Sequence, residues 1–453
     1  CCSDRQAFHA FGQSRHNTAP SLTKRFSHMA GHPLNERSMS TAIRPSACPG
    51  LLRIVPALDG GICRIKLAGG VISAEQAVAV AEAAQAYAGG VIEATNRANL
   101  QIRGIGPEHQ ALIAALLAAG LGPTTAAGDD VRNLMLSPCA GIDRQCLMDT
   151  RPLAAQILDT LQGHPRFHQL SAKFAVQLDG GEALAMLEHH HDLWLSALER
   201  DGQGLLAFGL AGCPVDEPLA AVAQDQGHEL LVAVLELFLD LARPEQTRMR
   251  HLLMDMSRED FLAQLEPRLS RPLLNIGGWR RQASVAGLHI GTYPQAAPGQ
   301  VYVGAGTPLG RLDPAMLKGA AQLARQYGDA SLRLTPWQSL LLPSIAAADA
   351  PAATAALEQL GLLCSPQQAL AHLIACTGSS GCGKALADTK SDALQLAGLL
   401  QRHGRQLDVH LSACPRSCAA AHVAPATLLA VAPGRYDLYL RDAGQPGFGT
   451  LHA

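Results

Sequence analysis

Four cysteines stand in two pairs late in the chain, Cys376 and Cys382 in CTGSSGC and Cys414 and Cys418 in CPRSC. Thiolates are soft donors, so four of them on two short loops point to a metal centre. Structural zinc usually takes C-x2-C type pairs. The wider C-x5-C and C-x3-C spacings argue against zinc, because iron–sulfur clusters accept more varied loops. The expected centre is a 4Fe-4S cluster on Cys376, Cys382, Cys414 and Cys418. The small residues between Cys376 and Cys382 permit a tight loop whose N–H groups can face cluster sulfur. Cys48, Cys63, Cys139, Cys146, Cys213 and Cys364 show no comparable pairing and read as buried, inert thiols.

The densest group of other metal-binding residues is Glu188-His189-His190-His191-Asp192. Two His and one carboxylate commonly hold a mononuclear iron with open positions. His189, His191 and Asp192 are candidates for such a site. On a strand, however, His189 and His191 share one face while His190 and Asp192 share the other, so convergence needs a bend. The competing reading is a polar strand end. His372, His410 and His422 lie near the cluster cysteines in sequence and are expected to pack or hydrogen-bond. The run GAGTPLG, Gly304 to Gly310, lacks the G-x-G-x-x-G spacing and reads as a loop. No Walker-type lysine and no GxSxG is present, which disfavours nucleotide hydrolysis and the α/β-hydrolase reading.

The elements that must carry these groups come from a long, apolar chain. At 453 residues it exceeds what one hydrophobic core organises, so several domains are expected. The formal net charge is −2 with 16% charged residues, which gives no nucleic-acid footprint. The apolar stretch from Leu230 to Ala242 is broken by Glu236 and Asp240 and is too short for a membrane span, so a cytoplasmic protein is expected. Residues 1–44 are polar and aperiodic and read as a disordered extension, with Met39 a natural start.

The chain also repeats itself. At an offset of about 240, Ser73 falls on Asp313 and Thr95 on Thr335 without a gap. Each copy offers a cap residue, a helix with apolar spacing near 3.6, and a short alternating strand. At an offset of 239, Asp149-Thr150 falls on Asp388-Thr389, each followed by an amphipathic helix, Pro152 to Leu161 and Ser391 to Leu400. A duplicated unit is predicted: a small α+β half-domain followed by a larger α/β segment, then both again.

The duplication, the two cysteine pairs in the second copy and the strand ATNRANLQIRG in the first resemble the sulfite/nitrite reductase superfamily. That resemblance, covering about Cys48 to Tyr439, implies an α+β, pseudo-twofold fold. Its expected parts are ferredoxin-like half-domains at 45–125 and 271–362, an α/β domain at 126–270 and a 4Fe-4S-binding α/β domain at 363–453. Within the superfamily, CPGLLRIVPALDGGICRIKLAGG, ANLQIRG, DTRPLA and HDLWLSAL are similar to the precorrin-3B synthase branch, oxygen-dependent enzymes of aerobic cobalamin biosynthesis.

The resemblance also implies site residues. Thr95-Asn96-Arg97 fills the TTR-type motif, so Arg97 is expected to handle an anion, and Arg132 in Asp129-Asp130-Val131-Arg132-Asn133 fills a second basic position. Of the family's K-x-K pair only Lys173 remains, with Ala175 in place of the second lysine, which weakens a sulfite-reducing role. Arg97 aligns with Trp337, so one active site per chain is expected. Arginine forks bind carboxylates bidentately, which suits a tetrapyrrole bearing acetate and propionate groups. Cys418 matches the cysteine that bridges to sirohaem in the reductases. The implied partners are precorrin-3A, dioxygen and an external electron donor, NADH through a separate reductase being one route; the implied second cofactor is a mononuclear non-haem iron. The alternatives are a sirohaem-dependent sulfite or nitrite reductase and a non-catalytic iron–sulfur electron-transfer protein.

Overall fold

The computed structural model describes residues 48–453 apart from 422, 443, 444, 446 and 453. The extension at 1–44 and His422 therefore lie outside the described residues. Backbone geometry carries the duplication. Ser73 accepts from Gln76 N at 3.1 Å while the Gln76 side chain accepts from Ser73 N at 3.1 Å, a capping box that starts the helix Ala74–Tyr87. Asp313 accepts from Met316 N at 2.8 Å and, with Pro314 in the first turn, starts the helix Pro314–Tyr327. Each helix leads into a strand, a tight loop and a return strand: Val91–Ala94 to Leu100–Ile105, and Ser331–Leu334 to Ser339–Ala346. Both loops close identically, Thr95 N on Asn99 O and Thr335 N on Ser339 O, each at 2.9 Å. Ala98 and Gln338 hold the matching left-handed positions, at φ 54° and 57°.

The described residues form four sheets of five strands. The first half-domain sheet runs Val55–Ala57, Gly60–Ile65, Leu100–Ile105, Val91–Ala94 and then Arg311–Leu312, a strand borrowed from the second copy. The second runs Gly291–Pro294, Gln300–Gly306, Ser339–Ala346, Ser331–Leu334 and then Val71–Ser73, borrowed from the first. Arg311 pairs with Glu93, and Val71 pairs with Arg333. The two central helices pack on each other within one core that includes Ile72, Ile92, Ile102, Leu317, Leu332 and Leu342. The ferredoxin-like halves are thus interlocked. The run from Gly304 to Gly310, expected as a loop, begins inside the strand Gln300–Gly306. Its first glycine serves close packing, since a Cβ there would lie 2.5 Å from His289 O.

The two α/β domains share one topology. Parallel strands Leu134–Met135, Val176–Asp179 and His191–Arg200 are followed by antiparallel Gln203–Gly212 and Ala220–Ala223. The second copy repeats this with Leu373–Ala375, Val409–Ser412, Ala426–Ala432, Arg435–Leu440 and Thr450–Leu451. The crossover helices are Arg151–Gly163 and Thr389–Arg402, slightly longer than the apolar spacing suggested. Leu274, Ile276 and Trp279, assigned by sequence to the second half-domain, pack instead along the first α/β domain. Leu274 bridges Ala221, and Ile276 and Trp279 join Leu198 and Leu205. No helix among the described residues is long and apolar enough to cross a membrane.

Candidate cluster and anion site

All four cysteines lie at the carboxyl ends of two adjacent parallel strands, where open α/β sheets form their crevice. Cys376 follows Leu373–Ala375, and Cys414 and Cys418 follow Val409–Ser412. Cys376 Sγ accepts the Ala413 amide at 3.3 Å and lies 3.5 Å from the Thr389 hydroxyl, which also donates to Cys376 O at 2.9 Å. Cys376, Cys382 and Cys414 are half-buried and Cys418 is exposed. Poor solvation pushes the Cys418 thiol up, and Cys414, Cys376 and Cys382 add to the push. Cys418 is thus within electrostatic reach of the other three. Among the described residues no three His, Cys, Asp or Glu side chains close on a single ion position.

The first half-domain holds the cluster loop in place. Gly381 O accepts from Leu58 N at 3.3 Å and from Arg103 Nη2 at 3.2 Å, and Arg103 is itself forked onto Asp59 at 2.9 Å. In the first α/β domain the positions matching Cys376 and Cys382 are Ser137 and Asp143. Ser137 donates to Leu184 O at 2.7 Å and Asp143 accepts from Ala183 N at 3.1 Å. Short polar side chains there bond the loop backbone directly.

Two of the basic residues, Arg97 and Arg64, lie on the first half-domain within electrostatic range of each other. Arg97 sits in the loop after Val91–Ala94, where Thr95 Oγ1 accepts from Arg97 N at 3.3 Å. Its Nη1 donates to His191 Nε2 at 2.5 Å and its Nη2 to His190 O at 3.3 Å. Burial, then the nearby cation Arg248, lowers Arg97 to about 10. Arg64, which sequence reasoning missed, lies within electrostatic range of both Arg97 and Cys418 and is held by Gln101 at 2.8 Å. Alternation on the strand GGICRI, with Cys63 and Ile65 fully buried on the other face, was the available signal.

The other expected residues divide. Arg132 is turned away, donating to Gly122 O at 3.3 Å and Leu121 O at 3.5 Å beside Asp129. Lys173 lies half-buried in the turn before Val176–Asp179. The buried Lys66 donates to Asp129 O at 2.7 Å and Asp130 O at 2.9 Å, and burial lowers it to about 7. Trp337, the counterpart of Arg97, stacks on His289 with centroids 5.2 Å apart. Its neighbours Tyr293, Tyr302 and Leu341 fill that side with apolar surface.

His189, His191 and Asp192 do not form an iron site. Asp192 is committed to Arg248 Nε at 2.9 Å, Met249 N at 2.8 Å and Ala175 N at 2.9 Å. Its side chain leaves the strand on the face away from His191, and His191 is taken by Arg97. Burial, with Arg97 next, holds both histidines well below the usual imidazole range.

Comparison with known proteins adds the family. The nitrite/sulfite reductase ferredoxin-like half domain matches residues 56–120 and 293–360, and the nitrite and sulphite reductase 4Fe-4S domain matches residues 127–273. The chloroplastic ferredoxin–nitrite reductase of Zea mays is 33% identical over 393 residues, 80% of this chain and 68% of that protein. The chain belongs to the nitrite and sulfite reductase family. The ferredoxin–nitrite reductase of Synechococcus elongatus is 30% identical, over 81% of this chain and 76% of its own. A precorrin-3B synthase from Sinorhizobium sp is 25% identical, over 89% and 84%. The Mycobacterium tuberculosis NirA protein shares the fold, with a TM-score of 0.73 at 24% identity over 87% of this chain and 77% of that one. These relatives are oxidoreductases, which makes this member of the family one too. The 4Fe-4S domain match falls on the first α/β copy, which has the strand order of the second but Ser137 and Asp143 at the positions of Cys376 and Cys382.

Proposed function

We propose that this protein is the oxygenase of the family that converts precorrin-3A to precorrin-3B, with a 4Fe-4S cluster on Cys376, Cys382, Cys414 and Cys418. The observation that carries the reading is at Ala175. Reducing a small dianion calls for crowded positive charge. Here the position two beyond Lys173 has no side-chain cation, and its N–H and C=O are both bonded to Asp192, at 2.9 Å and 2.8 Å. The carboxylate that bonds this backbone is itself paired with Arg248 at 2.9 Å, so the second lysine of the pair has no replacement at 175. Arg97, Arg64 and Lys173 instead suit the spread carboxylates of a tetrapyrrole, with Arg132 bracing the loop beneath.

In the proposed reaction one atom of dioxygen becomes a hydroxyl at C20 of the macrocycle, and a neighbouring acetate oxygen adds to the adjoining ring C=N carbon to close a γ-lactone, the π pair and the acid's proton passing to the ring nitrogen. The other atom leaves as water, taking up two electrons and two protons. The cluster, when bound, supplies electrons singly from an external donor. The arginines hold the substrate carboxylates and the surrounding half-domains restrict water. No step runs through a second iron, since the histidine run does not fit one. The Sinorhizobium precorrin-3B synthase supports the reading, since the similarity runs over 89% of this chain and 84% of that protein.

A sirohaem-dependent nitrite reductase is the second reading, favoured by the identity to the maize and Synechococcus enzymes. The deciding experiment is anaerobic purification with iron and sulfide analysis and a visible spectrum, followed by precorrin-3A, a reductant and oxygen. About four sulfides per chain, no haem bands and oxygen-dependent product are expected. Sirohaem bands with nitrite or sulfite turnover would replace the proposal by the reductase, and a cluster protein that binds no tetrapyrrole would leave an electron carrier.

A further inference from the structure

The contact between Arg97 and the histidine run has a definite chemistry. Arg97 can only donate, so at 2.5 Å the Nε2 of His191 must present a lone pair. A backbone carbonyl can only accept, so at 2.7 Å from His189 O the Nδ1 of His191 must carry the hydrogen. The two contacts together fix a neutral ring in the Nδ1–H tautomer. They also fix the direction of the guanidinium, which His190 O steadies from the other nitrogen at 3.3 Å.

A neutral partner has a consequence for charge. Among the described residues no carboxylate lies in salt-bridge contact with Arg97, and Asp192 is occupied by Arg248. The imidazole therefore orients the guanidinium without cancelling its positive charge. A carboxylate in the same place would orient it equally well but would neutralise it toward an anionic ligand. The only side chain among the described residues recorded in hydrogen-bond contact with the Arg97 guanidinium is His191, His190 contributing its carbonyl.

We propose that His191 is a positioning residue that presents Arg97, uncancelled, to an anionic group of the ligand. This rests on the reading of the Arg97 side as the tetrapyrrole site. The inference predicts different fates for two replacements. His191→Gln places an amide oxygen where Nε2 was and can still accept from Arg97. His191→Leu fills similar space and accepts nothing.

The test has two arms. In the first, precorrin-3A is titrated anaerobically into the cluster-loaded protein and its variants. His191→Leu is expected to weaken binding about tenfold, the size of one lost bond to a charged group, while His191→Gln stays within about threefold of the parent. Adding Arg97→Ala to His191→Leu should produce no loss beyond that of Arg97→Ala alone, since the histidine acts only through the arginine. Additive losses, or equal losses in the Leu and Gln variants, would overturn the proposal. In the second arm, nitrogen NMR of histidine-labelled protein reads the tautomer of His191, assigned by comparison with the Gln variant. An Nδ1–H signal is expected, and an Nε2–H signal overturns the proposal. If the parent binds no precorrin-3A, the tetrapyrrole reading fails by itself, and the tautomer still decides the link between His191 and Arg97.

Discussion

Glu93 Oε1 lies 3.9 Å from Lys390 Nζ, with about nine-tenths of each side chain buried. Glu93 belongs to the first half-domain, and Lys390 to the helix that follows the cluster loop of the last domain. The same carboxylate lies 3.7 Å from Arg103 Nη1 and 3.4 Å from Arg311 Nε on the exchanged strand, and accepts from Thr377 Oγ1 beside Cys376. Removing one partner of such a group leaves uncompensated charge in a poorly solvated place. Glu93→Gln is expected to destabilise the protein by about 3–5 kcal/mol, read as a lower urea midpoint. A loss below about 1 kcal/mol would mean that the cations are adequately solvated without it.

Each cluster cysteine should be individually required. Cys414→Ser is expected to lose the visible iron–sulfur absorbance and most acid-labile sulfide. Cys364→Ser, a buried thiol that donates to Thr354 O, should keep both. Burial pushes the Cys364 thiol up to about 12, so it stays protonated and makes a poor ligand. A Cys414 variant with full sulfide would remove that residue from the quartet.

Arg97→Ala should weaken precorrin-3A binding by roughly ten- to a hundredfold, the range for a bond to a charged group, with the cluster spectrum unchanged. Trp337→Phe, on the side filled by Tyr293 and Tyr302, is expected to leave binding within about twofold. Unchanged binding in the arginine variant would place the ligand elsewhere.

Glu182 predicts a pH dependence of stability. Burial, with Asp179 next, pushes its carboxyl up from 4.5 to about 8, although Gly180 N donates to it at 2.8 Å. Between those values the folded protein holds a proton that the unfolded chain has released. Stability from this group is therefore complete below the unfolded value and is lost as pH rises toward the folded one. Glu182→Gln should flatten the fall in urea midpoint across that window, and an unchanged slope would assign the fall to other groups.

Sequence made some of this legible and hid the rest for identifiable reasons. The two cysteine pairs could be picked out because their spacing is local, and they fall at the ends of the neighbouring strands Leu373–Ala375 and Val409–Ser412. The duplication showed because cap and loop residues, Ser73 with Asp313 and Thr95 with Thr335, do the same work in both copies. The strand exchange was hidden: Val71–Ser73 and Arg311–Leu312 are two or three residues long and owe their pairing to distant partners. The histidine run misled because alternation tells which way a side chain points and not what awaits it. Arg248 met Asp192 and Arg97 met His191, from elsewhere in the chain. Arg64 went unnoticed because one charged residue on an apolar strand reads as its solvent face, and its nearness to Arg97 and Cys418 comes from distant parts of the chain.

The exchange of edge strands also sets an order of events during synthesis. When the first half-domain has left the ribosome, its Val91–Ala94 edge has no neighbour until Arg311 and Leu312 have been made. An uncovered edge invites pairing with other chains. The nascent protein must carry that exposed strand through translation of the whole first α/β domain, so truncation anywhere before Arg311 should yield aggregating fragments, and demand for chaperones should peak just before the second copy emerges.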